Sequence, residues 1–307
     1  MKKSRGLKIG VIGVGTMGQH HARICSLLPG IRLAAVADPD TKRAHEIGRR
    51  YGADVFKDYK EMFPLVEALI IVSPTETHFE IAEQCLNAGK NILVEKPLAK
   101  TSHEAQRLVE LARSKNLILA VGLIERFNPA YQELSKLVRK EKIIGIHAKR
   151  FSPFPERITD ADVVQDMMVH DLDLLVNLLP NDEIEDLKAE GAKVKSNKLD
   201  KVNTTIYFKS GIIAKVEADR VFGIKTRKIA VTTERTIIEA DLLNKRVYIR
   251  DLQHHIPSVH HAKNIDQLTA ELSDFIKAIK NKARPKVDAE DGHKVLKLAE
   301  EVERACS

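Results

Sequence analysis

Cysteine is scarce in this sequence, and what there is lies scattered. Cys25, Cys85 and Cys306 are the only three, and no two form a C-x-x-C pair. That argues against a disulfide framework and against a zinc knuckle, and it fits a reducing cytoplasm. Long apolar runs are missing as well: no stretch approaches the roughly 18 consecutive apolar residues needed to cross a membrane. The opening Met1-Lys2-Lys3-Ser4-Arg5 has the charge of a secretory leader. However, Gly10, Gly13 and Gly15 break the apolar residues that follow, and no small-residue cleavage site comes after them, so the segment reads as a first strand. The basic residues are spread along the chain without interleaved aromatics or a nucleic-acid motif, and neither DNA nor RNA is an expected partner. No internal repeat and no low-complexity segment is present.

The 307 residues, 43% hydrophobic and 30% charged, suit an ordinary globular protein of about two domains. The net charge of +7 favours anionic ligands such as nucleotides without identifying one. Along the first third, Lys8–Ile12, Arg32–Ala37, Ala68–Val72, Asn91–Val94 and Leu117–Val121 read as strands. Between the third and fourth of these, Phe79, Ile81, Ala82 and Leu86 share one face of a helix over His78–Asn87. Near-continuous apolar strands alternating with helices predict a parallel sheet covered on both sides, a doubly wound α/β domain over residues 1–123. After Gly122 the rhythm changes. Helices are predicted at Pro129–Lys140 and about Ala161–Leu179, with a Pro-bearing loop from Ser152 to Arg157 between them. The second helix carries the stripe Met168, Leu172, Leu175, Val176 and Leu179. Alternation then predicts strands at Thr204–Phe208, Ile212–Ala218, Lys228–Thr233, Thr236–Ala240 and Arg246–Arg250, a mostly antiparallel sheet. Two helices close the chain, at about Ile265–Lys280 and Ala289–Ala305. Residues 124–307 are therefore expected to form an α+β domain for substrate binding and oligomerisation, its C-terminal helix a candidate to pack back on the first domain.

Gly13-Val14-Gly15-Thr16-Met17-Gly18 matches G-x-G-x-x-G between the first strand and a predicted helix, and Asp38 stands 20 residues beyond Gly18. Gly13 permits a tight turn, Gly15 leaves room for a pyrophosphate, and Gly18 lets helix and strand pack closely. The helix N-terminus, with Thr16 and Met17 in its first turn, offers N–H groups and partial positive charge to the phosphates. Asp38 can accept from both adenosine ribose hydroxyls and would repel a 2′-phosphate, so NAD is expected rather than NADP, although Lys42 and Arg43 lie just beyond. The first domain is thus read as a Rossmann domain.

Several segments resemble the Gfo/Idh/MocA family of oxidoreductases over essentially the whole chain. Ser73-Pro74-Thr75-Glu76-Thr77-His78 is similar to its loop near the nicotinamide, and Ala88 to Pro97, ending in Glu95-Lys96-Pro97, to its most specific signature. Asp166-Met167-Met168-Val169-His170 resembles its Asp-x-x-x-His helix, and Ala289-Glu290-Asp291-Gly292 the entry to its last helix. The resemblance implies catalytic roles for Lys96, His170 and Asp166. It also implies cofactor contacts from Ser73, Pro74, Thr75, His78, Glu95, Lys96 and Arg126, a cis Lys96–Pro97 bond, and a homodimer or homotetramer built on the second sheet. Glu125 to Ala130 and Val164 to Asp173 further resemble the branch acting on the 3-hydroxyl of UDP-N-acetylglucosamine, with Gln165 departing from the aliphatic residue expected there.

The chemistry agrees with these roles. Oxidising a secondary alcohol by hydride transfer requires a base for the hydroxyl proton, which a histidine supplies, and a positive charge for the developing alkoxide, which a lysine supplies. In a helix Asp166, His170 and Asp173 would share a face opposite the apolar stripe and offer it to a cleft. Arg150, Arg157, Arg220 and Arg227 are candidates to hold a diphosphate. Ile206, Phe208, Ile213, Val216 and Ala218 are more apolar residues than one covered sheet face needs, which points to self-association. The residues by themselves leave other readings open. Lys96 also fits a solvated lysine paired with Glu95, Asp166 and His170 the wet side of an amphipathic helix, and His20-His21, His254-His255 and His260-His261 surface histidines. No residue set completes a metal site, and none is expected. The expected substrate is a sugar or nucleotide sugar. The alternatives are a free sugar or polyol such as inositol, and a non-catalytic NAD-binding regulator.

Overall fold

In the computed structural model, which describes residues 6–154, 161–253, 257–262 and 265–306, the chain divides into two units. One runs to Leu123 and is joined by Leu268–Lys294; the other comprises Ile124–Gln267 and the residues from Val295 on. The first unit is built from β1 (Leu7–Ile12), α1 (Thr16–Leu27), β2 (Ile31–Ala37), α2 (Thr41–Tyr51), β3 (Asp54–Phe56), β4 (Ala68–Ile71), α3 (His78–Asn87), β5 (Asn91–Glu95), α4 (Ser102–Ser114) and β6 (Leu119–Gly122). Its six strands pair in parallel in the order β3-β2-β1-β4-β5-β6. Parallel strands with helices on both faces must be apolar on both faces, and β4 is buried at all four residues. The order reverses between β1 and β4, and ligands of such sheets bind beyond the strand ends at that reversal.

Local chemistry sets the helix starts. Thr101 and Glu104 form a reciprocal capping box that begins α4, and Asp40 accepts the Arg43 main-chain N–H to begin α2. Gly13 has φ +84°, and a Cβ there would stand 2.7 Å from the Val72 carbonyl oxygen; at Gly18 it would stand 1.9 Å from that of Gly13. Both positions therefore require glycine. From the later part of the chain, α7 (Gln267–Asn281) contributes all but its first residue, and Ala120 bridges to Asp288 beside β6.

The second unit holds α5 (Pro129–Val138), β7 (Ile143–Phe151), a π-helical turn (Val164–Met168), α6 (Val169–Leu178), β8 (Ile184–Ala192), β9 (Lys201–Phe208), β10 (Ile213–Asp219), β11 (Thr226–Thr233), β12 (Thr236–Asp241), β13 (Arg246–Asp251) and β14 (Pro257–His261). The eight strands run in the order β14-β13-β12-β11-β7-β10-β9-β8, antiparallel except for the parallel pair β7 and β10. The mostly antiparallel sheet is as expected, but β7, β8 and β14 are additional. The last helix, α8 (Ala289–Ala305), begins in the first unit and ends in the second.

Two expectations about this unit are overturned. Asp173 does not share an open helix face with Asp166 and His170: Asp171 through Leu175 are all buried, so α6 has no wet side over that stretch. Asp171 and Asp173 are buried because each meets an arginine, and the π-helical turn shifts the phase of the residues before Val169. The apolar residues of β9 and β10 do not mark a second apolar face either. Ile206, Phe208, Val216 and Ala218 are buried on one face, and only Ile213 is exposed. Period-2 alternation places Tyr207, Lys215 and Glu217 on the other.

Candidate functional site: a dinucleotide cleft and a buried charge network

At the reversal point of the first sheet lies a cleft of about 470 Å³, lined by Gly13 and Gly15 after β1, Asp38 after β2, and Ser73, Pro74 and Thr77 after β4. Asp38 is held by two main-chain donors: Oδ2 accepts the Val14 N–H at 2.8 Å and Oδ1 that of Asp40 at 2.9 Å. A carboxylate has about four acceptor sites, so capacity remains for two ribose hydroxyls. Arg43 sits beside it, but its guanidinium is engaged by Asp40 at 2.9 Å and lies 3.7 Å from Asp38. Lys57 and Tyr59 also line the cleft.

The residues present fit a dinucleotide. A Cβ on Gly15 would meet no protein atom nearer than Arg43 at 3.7 Å, so the space it would occupy belongs to the cleft and not to packing. Gly15 caps α1 without a side-chain hydrogen bond, and the first-turn N–H groups are left for an anion.

The loop after β4 is fixed from behind. A 3₁₀ turn at Thr75–Thr77 leads into α3, and Thr77 Oγ1 is 2.8 Å from Ser73 Oγ. His78, expected at the cofactor, does not line the cleft. It is buried, with Nδ1 2.7 Å from the Pro97 carbonyl oxygen and Nε2 2.9 Å from that of Ser73. It ties the Ser73 loop to the turn after β5 instead. In that turn Lys96–Pro97 is cis. Glu95 does not line the cleft either: its carboxylate contacts His21 Nε2 at 2.7 Å and accepts the Lys96 main-chain N–H at 3.2 Å. Lys96 belongs to the first unit, Asp166 and His170 to the second.

Within the second unit, buried charge pairs hold α6 and β7. Arg126 donates to Asp173 through Nε at 2.9 Å and Nη2 at 2.7 Å. Arg150 grips Asp171 through Nε at 2.7 Å and Nη2 at 2.9 Å, and gives Nη1 to Glu125 at 3.0 Å. Burial works to raise the Glu125 carboxyl, but Arg150 and the Asn128 amide overcome it and hold it below the usual range. Of the four arginines considered for a diphosphate, Arg150 and Arg220 are therefore structural. Arg220 is buried against Asp200 at 2.9 Å and the Ala161 carbonyl oxygen at 2.9 Å. Arg157 lies outside the described residues. Arg227 remains: its side chain is 48% exposed, 3.4 Å from Glu125. Burial, then repulsion from Arg150, lowers its pKa, and Asp166 is among the acids near enough to oppose that.

Sequence reading missed Lys57 and Tyr59 because the strand ahead of them, β3, has only three residues. A short β-branched or aromatic run after a helix-ending glycine, here Val55-Phe56 after Gly52, would have been the signal. Glu125 and Asp171 lie in the two segments that resemble the family branch, but nothing in the sequence marked them as buried, since an acid reads as solvated.

Residues 7–123 match the Gfo/Idh/MocA oxidoreductase family, described by its NAD-binding Rossmann fold. UDP-N-acetylglucosamine 3-dehydrogenase from Acidithiobacillus ferrooxidans is 33% identical over 96% of both chains. Its crystal structure superposes with a TM-score of 0.92 at 32% identity, covering 98% of this chain and 97% of that one. Myo-inositol 2-dehydrogenase from Thermotoga maritima is 27% identical over 95% of this chain and 94% of its own. Levoglucosan dehydrogenase in complex with NADH shares the fold, with a TM-score of 0.89 at 19% identity, covering 98% and 97% of the two chains. Among the described residues no helix is long and apolar enough to cross a membrane.

Proposed function

Because the chain belongs to the Gfo/Idh/MocA oxidoreductase family, we propose that it is an NAD-dependent dehydrogenase acting on a secondary hydroxyl of a nucleotide sugar, the 3-hydroxyl of UDP-N-acetylglucosamine first. The observation that carries the substrate is the similarity to UDP-N-acetylglucosamine 3-dehydrogenase over 96% of both chains. Arg227 supports it, as the arginine left half-exposed beside the acidic network and available to a diphosphate. The preference for NAD over NADP rests on Asp38, whose carboxylate is fixed in the cleft by two main-chain donors.

In this reading bound NAD supplies the hydride acceptor. His170 takes the proton of the reacting hydroxyl, Lys96 stabilises the negative charge that develops on its oxygen, and Asp166 orients His170 or a substrate hydroxyl. The bonds broken are the C–H and O–H of one carbinol; the C=O of a ketone forms. Gly15 and the α1 N-terminus bind the pyrophosphate, and the Ser73–Thr75 loop bounds the nicotinamide side. The assembly we propose is a homodimer or homotetramer through the sheet face that carries Tyr207, Lys215 and Glu217.

The test is direct. Purified protein with NAD is incubated with UDP-N-acetylglucosamine, the keto product is trapped, and NADH is followed at its absorbance. NADH formation with UDP-N-acetylglucosamine and none with free glucose or inositol is expected. Turnover of inositol with no binding or turnover of any UDP-sugar would replace this reading by the polyol one, which the 27% identity to myo-inositol 2-dehydrogenase favours.

A further inference from the structure

Three ionisable side chains meet inside the first unit from three elements. His21 comes from α1, Glu95 from the end of β5 and Glu271 from α7, and one nitrogen or oxygen of each lies within 4.8 Å of the other two. His21 is 0% and Glu271 2% exposed. Glu95 is engaged at both oxygens, Oε1 by His21 Nε2 and Oε2 by the Lys96 main-chain N–H. Both Glu271 oxygens and Nδ1 of His21 are buried without a hydrogen-bond partner among the described residues. None of the three lines the dinucleotide cleft.

A buried carboxylate that accepts no hydrogen bond is costly, and a second carboxylate beside it repels it. Glu95 and Asp274 face Glu271, while His21 and Lys96 face Glu95 in turn. Burial first, then those two acids, push the Glu271 carboxyl well above the usual range. Glu95 goes the other way: burial opposes ionisation, but His21 and Lys96 hold it below the usual range. The pair therefore divides into one carboxylate and one neutral acid.

We propose that Glu271 keeps a proton at neutral pH and shares it with Glu95, which makes it a positioning residue for the Glu95 carboxylate and, through that carboxylate, for the Lys96 main chain. The proposal rests on the catalytic role proposed for Lys96. A neutral acid is a donor and Glu95 an acceptor, so rotation of the Glu271 carboxyl across the short gap closes an O–H···O bond. With one negative charge behind it instead of two, less of the Lys96 field is cancelled at the oxygen of the substrate. Glu271 touches no reacting atom.

The full-length wild type is compared with Glu271→Gln, which copies the neutral acid, and Glu271→Leu, which removes the donor. The first readout is melting temperature against pH without substrate. A carboxyl whose folded pKa is raised favours the folded state fully below its unfolded pKa of about 4.3, and that contribution is lost as pH rises through the folded value. Glu271→Gln has no such proton to lose, so its melting temperature should gain on wild type between about pH 5 and 8. Equal slopes overturn the shared proton, whatever Lys96 does. The second readout is turnover with NAD and UDP-N-acetylglucosamine. Glu271→Leu should lower kcat by about ten- to a hundredfold with NAD affinity unchanged, and Glu271→Gln should restore most of it. A Glu271→Leu enzyme at wild-type kcat, or a Glu271→Gln enzyme no better than Glu271→Leu, overturns positioning. If Glu271→Leu does not fold, the Glu271→Gln slope decides. An active Lys96→Met enzyme removes the Lys96 role alone and leaves the stability test standing. Zn²⁺ that raises the melting temperature of wild type but not of Glu271→Gln would make the cluster a cation site and overturn the proposal.

Discussion

Replacing Asp38 by Asn tests the cofactor assignment at a single side chain. Asp38 is 7% exposed and accepts from Val14 N–H and Asp40 N–H on its two oxygens. Asn keeps the shape but offers one oxygen; its NH₂ group would face the other donor. One nearly buried main-chain N–H is then unsatisfied, at a cost of about 1–3 kcal/mol to local stability. The ribose hydroxyls lose acceptors bearing a full charge, and hydrogen bonds to charged groups contribute about 1.5–3 kcal/mol. The two effects fall on different observables. The melting temperature of the cofactor-free protein reports the first. The second should raise KM for NAD by about 10- to 140-fold. NADP should suffer far less, because its 2′-phosphate is no longer repelled while Arg43 remains beside the site. The ratio of kcat/KM for NAD to that for NADP should therefore fall by at least about tenfold. A wild-type enzyme that prefers NADP by tenfold, or an Asp38→Asn enzyme with the wild-type ratio, would refute the reasoning.

Lys96→Met keeps the aliphatic stem and removes the charge, so kcat should fall by about 10²–10³ with NAD binding intact in a fluorescence titration; near-wild-type turnover would remove Lys96 from the chemistry. With His170 as the base, kcat/KM for oxidation should rise with pH as a neutral imidazole becomes available, and a flat profile from about pH 5 to 8 counts against it. Arg150→Met leaves the buried Asp171 without its arginine, while Glu125 keeps Asn128 and Arg227, and should cost about 3–5 kcal/mol in chemical denaturation; a loss under about 1 kcal/mol would show that the network is not held by charge pairing. Sedimentation at micromolar concentration should give a dimer or tetramer, and a single species of monomer mass would end the oligomer reading.

The cofactor half was legible because its chemistry is local. A strand, a glycine turn and a helix lie within residues 7–27, and Asp38 directly follows the next strand. In the second unit, α5 and the strands that alternate cleanly, such as β9 and β10, were legible as well. β8 is an edge strand carrying Glu185, Asp186, Lys188 and Glu190, and charges that protect an edge from pairing also make it read as a loop. β7 takes its place mid-sheet through partners far along the chain, at β10 and β11. The buried ion pairs were hidden for the same reason: Arg126 meets Asp173 across 47 residues and Arg150 meets Asp171 across 21. In an isolated helical pattern those acids, like Glu271, look solvated. Only the three-dimensional partner, or its absence, distinguishes them.

Leu268–Lys294 completes the first unit, and this has a consequence for synthesis on the ribosome. When Leu123 has left the tunnel, the dinucleotide half still lacks α7, the Val287 carbonyl that Val121 N–H will donate to, and the Asp288 bridge to Ala120. The last of these, Asp288, arrives about 165 positions later, which at roughly 5–20 residues per second is on the order of 10–30 s. The second half cannot close early either, because β7 waits between β10 and β11 for strands that follow it by more than 60 residues. Neither half of the nascent chain is finished before the other has been made, so the growing chain passes through a long interval in which the exposed flank of β6 must be kept from foreign partners.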